Sequence, residues 1–147
     1  MKGVGADEDK DWVVTRLMGD KGLCQLRVAR LPDGFDFSAY ADRVHILWRF
    51  DGGDEAMPSA AEEAAMAEFE HALVDMLRAD RQGALVMVLN ELGHREFVIH
   101  ITREDRLIHY LNTIDEAIAL PIEVQADSDA DGTFFKAHAG HLLHKTA

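Results

Sequence analysis

The residues of this chain best suited to chemistry are two histidines, a glutamate and an arginine, set in pairs four residues apart in short apolar runs. His45 and Arg49 alternate with Val44, Ile46, Trp48 and Phe50, and Glu96 and His100 alternate with Phe97, Ile99 and Ile101. On a β-strand, residues two apart share a face. His45, Leu47 and Arg49 therefore belong to one face, as do Glu96, Val98 and His100, leaving the larger apolar residues for the other. If the two runs pair antiparallel with Leu47 opposite Val98, then Arg49 faces Glu96 and His45 faces His100. Arg49 with Glu96 would form a cross-strand ion pair, worth about 0.2–1 kcal/mol structurally, or would orient a polar ligand. Two histidines together are suited to metal binding or proton transfer, but a metal needs at least a third ligand. Glu123, projecting near them from the last strand, would complete a His-His-Glu cluster. His45, Arg49, Glu96 and His100 are the candidate ligand-binding set, although the structural reading of each pair outweighs the functional one.

A second cluster, His138, His141 and His144, has three-residue spacing on an expected helix and is the candidate metal site. Successive steps of three rotate around a helix, so the three imidazoles converge poorly and a solvated helix is the simpler account. Asp127, Asp129 and Asp131 resemble the start of a calcium loop, but Gly132 falls after the third acid and no Glu occupies the twelfth position. They read instead as an anionic cluster at a helix start. Cys24 is the only cysteine, which excludes an internal disulfide and a cysteine-clustered metal centre. There is no phosphate-binding glycine loop, nucleophile elbow or metalloprotease helix, and the few serines include Ser59, better used as a helix cap. No cofactor and no catalytic residue is expected.

These side chains need elements to position them. Trp12–Met18 and Leu23–Leu31 are apolar runs around Gly19-Asp20-Lys21-Gly22, the pattern of a β-hairpin. A strand from Arg43 to Phe50 ends at Asp51-Gly52-Gly53-Asp54, and Ser59-Ala60-Ala61-Glu62 is a capping box. The helix it opens runs to about Asp80 on a stripe of Met66, Phe69, Leu73 and Leu77, with Glu62, Glu63, Glu68, Glu70 and Asp75 solvating the other side. Strands at Ala84–Asn90 and Arg95–Thr102 flank a Gly93 loop. Thr102 is the expected N-cap of a second helix carrying Leu107, Ile108, Leu111 and Ile114, and Pro121–Ala126 is a last strand. From residue 43 onward the order is strand, helix, strand, strand, helix, strand. That order predicts an α+β fold, a ferredoxin-like βαββαβ antiparallel sheet with two helices on one face. An N-terminal β-hairpin and a short C-terminal helix from about Thr133 to His144 are added. Residues 1–11 are expected to trail as a flexible N-terminus, with 12–147 as one domain.

The strand at 84–90 is apolar on both sides, so Leu47, Val86, Val88 and Val98 would form a patch on the open face. Such a patch must be covered by the hairpin, the C-terminal helix or a second copy of the chain, and a homodimer is one outcome. Lys plus Arg is 15 against 27 Asp plus Glu, a formal net charge of -12. This repels nucleic acid and anionic membranes. The opening residues lack a signal-peptide core and no apolar run reaches the ~20 residues of a membrane span, so a cytoplasmic location is expected.

The landmarks Trp12, Tyr40 with Arg43 to Trp48, Met57-Pro58, Phe69-Glu70 and Gly93 to Phe97 together resemble a bacterial family, domain of unknown function 695. The likeness spans most of residues 12–126. The family supplies no agreed catalytic residues. It is similar in setting to the regulator of ribonuclease E activity family B, which implies an inhibitor-like binding role. The chain departs from the family pattern near its end, where Asp131 is followed by Phe134-Phe135 rather than by a Trp. The expected function is a non-enzymatic, acidic interaction domain with a basic protein partner, one involved in RNA processing being the candidate. The alternative is a small-ligand or metal-binding domain or enzyme using the open sheet face.

Overall fold

In the computed structural model the described residues are 12–19, 22–32, 34–115 and 120–145. The expected trailing segment 1–11 and the turn residues Asp20 and Lys21 lie outside them. Strands β1 (Trp12–Gly19) and β2 (Gly22–Ala29) pair along their whole length, from Trp12 opposite Ala29 to Gly19 opposite Gly22. A single 3-10 turn, Phe37–Tyr40, capped by Asp36, leads into β3 (Asp42–Arg49).

Helix α1 (Ala60–Asp80) starts at the expected capping box: Ser59 Oγ accepts from the Glu62 amide at 3.0 Å and Glu62 Oε1 accepts from the Ser59 amide at 2.9 Å. Met66, Phe69, Leu73 and Leu77 are buried, as their spacing requires. The acidic side is less solvated than expected. Glu62 also accepts from the Asp51 amide, Glu63 binds Arg95 and Glu70 clamps Arg27. These three are ties between elements, whereas Glu68 and Asp75 remain exposed.

Strands β4 (Gly83–Glu91) and β5 (His94–Ile101) form a hairpin whose two turn residues are Leu92 and Gly93. Gly93 has φ 92, and a Cβ there would lie 2.5 Å from the Asp54 carbonyl oxygen, so both conformation and space call for glycine. Helix α2 (Glu104–Asp115), strand β6 (Ile122–Ser128) and helix α3 (Thr133–Lys145) complete the chain. The six strands form one antiparallel sheet in the order β1-β2-β4-β5-β3-β6. The fold is α+β, with three helices among the described residues.

The faces of the sheet are covered unequally. Helices α1 and α2 pack on Val44, Ile46, Trp48, Phe97, Ile99 and Ile101. On the opposite face α3 sets Phe135 and Ala139 on Leu26, Val28, Val86, Met87 and Val98. The open-face patch is thus covered within the chain, mainly by the C-terminal helix. The hairpin is no appendage, because β2 continues the sheet beyond β4 from Gln25 opposite Asn90 to Val28 opposite Met87.

Several local expectations are corrected. The register between β4 and β5 shifts at Val86, with Leu85 opposite Ile99 but Met87 opposite Val98. This bulge moves Val88 to the α1/α2 face beside Leu85, where strict alternation had put it with Val86. Thr102 does not cap α2; its hydroxyl donates to Gln82, and Asp42 Oδ2 accepts the Glu104 amide at 2.7 Å instead. In α2, Tyr110 is buried where Ile108 was expected, and Ile108 is exposed.

Candidate functional site

The central pair β3 and β5 carries all four candidate ligand-binding residues, but at a register two residues from the expected one. His45 lies opposite Val98, Leu47 opposite Glu96, Arg49 opposite His94, and Arg43 opposite His100. The loops fix this offset: the Phe50 amide donates to the Gly93 carbonyl at 2.8 Å, and the Gly93 amide to Ala56 at 2.8 Å. A shift of two preserves the faces and changes every partner. Arg49 therefore does not meet Glu96. It pairs with Glu123 of β6 at 2.9 Å, and both side chains are more than half exposed. His45 and His100 do not face one another as a pair. His45 Nδ1 lies 2.6 Å from Glu96 Oε2, and His100 is fully buried.

Arg43, which the sequence reading did not single out, is the hub. Its Nε donates to His45 Nε2 at 2.9 Å, Nη1 to Asp129 Oδ2 at 2.7 Å, and Nη2 to Asp127 at 3.4 Å. The guanidinium also lies 4.7 Å from the centroid of the Phe134 ring. The available signal was parity, since Arg43 shares the open face with His45. The acids that answer it lie more than eighty residues away.

Donor and acceptor roles follow from this geometry. Arg43 can only donate, so His45 Nε2 accepts and the ring proton sits on Nδ1, donated to Glu96. That hydrogen bond holds the Glu96 carboxyl below its ordinary range, against the opposing effect of burial. His100 donates from Nδ1 to the Tyr40 carbonyl at 3.0 Å, which leaves Nε2 buried without a hydrogen-bond partner, 3.9 Å from Asp129 Oδ2. Burial pushes the His100 pKa down, more than Tyr40 and Asp129 raise it.

Asp129 joins this cluster to α3. It accepts from the Thr133 and Phe134 amides at 2.9 and 3.2 Å, as an acidic cap at a helix start. Burial alone would raise its pKa, but Arg43 and these two amides more than offset it and hold the carboxyl below the ordinary value. Of the three aspartates, only Asp129 is buried.

A His–Glu pair suggests a catalytic relay. In such a relay the second imidazole nitrogen faces a nucleophile or a reacting proton. Here Arg43 occupies that position. His45, Glu96 and His100 line neither the cavity of about 230 Å³ beside Trp12 and Arg78 nor the cavity of about 280 Å³ beside Phe50 and Met57. Of the helical histidines, His138 is exposed, with Nδ1 donating to the Phe134 carbonyl at 2.8 Å, and the side chains of His141 and His144 lie outside the described residues. Among the described residues no group of three His, Cys, Asp or Glu is placed to hold a metal. No helix among them is long and apolar enough to cross a membrane.

Residues 10–138 match the model of the family of unknown function DUF695, and the chain belongs to this family. No curated protein and no solved structure matches it.

Proposed function

We propose that this family member is a non-enzymatic interaction domain that presents an acidic surface to a basic protein partner. The observation that carries the reading is the free face of α1. Ala61, Ala64 and Ala67 are exposed there beside Glu68 and Asp75, forming a shallow strip that no other described element covers. The strip continues toward Asp51, Asp54 and Glu55 at the helix entrance, which are exposed and make no ion pair among the described residues. Small side chains allow close approach, and the exposed carboxylates, of which Asp75 meets only His71 at 3.7 Å, favour Lys and Arg on the partner. A role in RNA processing, which rests on the family's similarity in setting to the regulator of ribonuclease E activity family B, belongs to the same proposal. So does a ferredoxin-like reading of β3 to β6, supported by the order β4-β5-β3-β6 with α1 and α2 on one face.

The test must avoid Glu62, Glu63 and Glu70, whose reversal would break structural ties. Wild type and a Glu68→Lys/Asp75→Lys variant are immobilised and exposed to a lysate at low ionic strength. A basic partner retained by wild type, released by salt and lost in the variant is the expected result. Equal retention by both, or none by either, overturns the reading.

A further inference from the structure

We propose that α3 is an acid-sensitive cover: protonation of His100, beside the first turn of the helix, favours lifting α3 from the sheet ahead of any opening of the α1/α2 core. The geometry of the ring carries this. His100 is fully buried, spends Nδ1 on the Tyr40 carbonyl at 3.0 Å and leaves Nε2 without a hydrogen-bond partner. A proton on Nε2 creates a buried donor and a buried charge with no acceptor in place. The carboxylate oxygen that comes near it is Asp129 Oδ2, at 3.9 Å. That oxygen already accepts from Arg43 Nη1 at 2.7 Å and from the Phe134 amide at 3.2 Å, and Oδ1 accepts from the Thr133 amide. A charged ring is therefore satisfied only by drawing Asp129 off the helix start or by admitting water. Both loosen the first turn of α3. Phe37 links the two sides, its ring centroid 4.9 Å from that of His100 and 5.6 Å from that of Phe135.

The surrounding charges do not reverse this. Arg43 and His45 of β3 oppose a proton on His100, Asp129 favours one, and burial outweighs the help of Asp129 and Tyr40 together. The remaining charged groups on this face are engaged elsewhere: Glu96 of β5 with His45 at 2.6 Å and Asp127 of β6 with Arg43 at 3.4 Å. From α3, Lys136 lies 5.5 Å from the centroid of the Phe37 ring and His138 donates to the Phe134 carbonyl, while β4 sets Ala84 opposite His100. The effect is also local. Ile99 and Ile101, the strand neighbours of His100, face α1 and α2, so the new charge arises on the other side of the sheet from that core. Lifting α3 uncovers Leu26, Val28, Val86, Met87 and Val98.

Amide hydrogen exchange of the full chain, resolved by segment at about pH 7.5 and about pH 5.5 and divided by the intrinsic rate at each pH, is the test. Protection of 133–145 is expected to lie below that of 60–80 at both pH values, because α3 opens without the core. It should fall by up to about tenfold at the lower pH, the limit for one proton taken up by an imidazole of ordinary value 6.5 once α3 is open. In His100→Gln that fall should vanish. A second measurement needs no variant: the His100 ring, followed by NMR in the wild type, should titrate below 6.5. Four results each overturn the cover: protection of 133–145 equal to that of 60–80, no fall at the lower pH, an undiminished fall in His100→Gln, or a ring that titrates at or above 6.5. None of them bears on the acidic strip of α1, which lies on the other face of the sheet.

Discussion

His100 shows how a residue that looks functional in sequence can act on stability. Its ring is fully buried, donates once to Tyr40 and leaves Nε2 bare, so the folded protein accommodates the neutral form. Burial lowers its pKa from the ordinary 6.5. The unfolded chain therefore takes up a proton near that pH which the folded chain resists, and stability falls as pH drops through 6.5 toward the lower folded-state value. Above 6.5 the ring is neutral in both states and contributes no slope. Glu96 and Asp129 act with the same sign at lower pH. Both are held below their ordinary 4.5 and 3.8, so their contributions exist above those values and are lost as pH falls through them. The urea midpoint should thus decline from about pH 7 downward, with His100 contributing at most about 1.4 kcal/mol per pH unit. His100→Gln should flatten the decline between about pH 7 and 5.5 and leave the more acidic limb in place. An unchanged slope in that variant would show that His100 is not buried as the neutral ring.

At the scale of elements, α3 is fastened by Asp129, which caps the helix and neutralises the half-buried Arg43 at once. Asp129→Ala removes both roles and leaves Arg43, whose side chain is only 17% exposed, with the exposed Asp127 at 3.4 Å as its remaining carboxylate. A loss of about 1–3 kcal/mol is expected, the cap contributing about 1 kcal/mol and the loss of Arg43's shorter, buried ion pair the remainder. Asp129→Asn keeps an acceptor for the helix amides and should lose less. Urea unfolding measures the difference, and a dye that binds exposed apolar surface should brighten as α3 detaches from Val86 and Val98. A change within about 0.5 kcal/mol for the alanine variant would show that α3 is held by packing alone. The sequence placed Asp129 in an acidic cluster at the start of this helix, and showed α1, its capping box and the faces of β3 and β5, but not the tie from Asp129 to Arg43. Side-chain direction has a period of two, so the faces survived a two-residue error in register while every cross-strand partner was lost. The register itself depends on the loop hydrogen bonds of Phe50, Ala56 and Gly93, residues far apart in sequence. The bulge at Val86 was hidden because β4 is apolar on both sides, which leaves alternation without information. Arg43 stood in the sequence only as the first residue of a strand, because Asp127 and Asp129, which answer it, are more than eighty residues away.

For the whole molecule the governing quantity is the net charge of -12, and its effect on stability can be set against that of the ion pairs. A chain of 147 residues has a radius of gyration of about 15 Å when compact. At ionic strength near 10 mM the Debye length is about 30 Å, so every unmatched carboxylate feels the others across the molecule. At physiological ionic strength it is about 8 Å, and only neighbours interact. Contacts such as Arg27–Glu70 at 2.5 Å and Arg49–Glu123 at 2.9 Å lie well inside either length and are weakened far less. Exposed pairs are also worth only about 0.2–1 kcal/mol each. Screening should therefore relieve long-range repulsion more than it weakens attraction, and the thermal midpoint should rise as sodium chloride goes from about 10 to 150 mM. The measurement belongs near pH 8, where His100 is neutral in both states and adds no slope of its own. A midpoint that fell with salt would mean that local pairing compensates the acidic surface. The exposed carboxylates along α1 would then have little field to offer a basic partner, and the interaction reading would lose its physical ground along with the salt prediction.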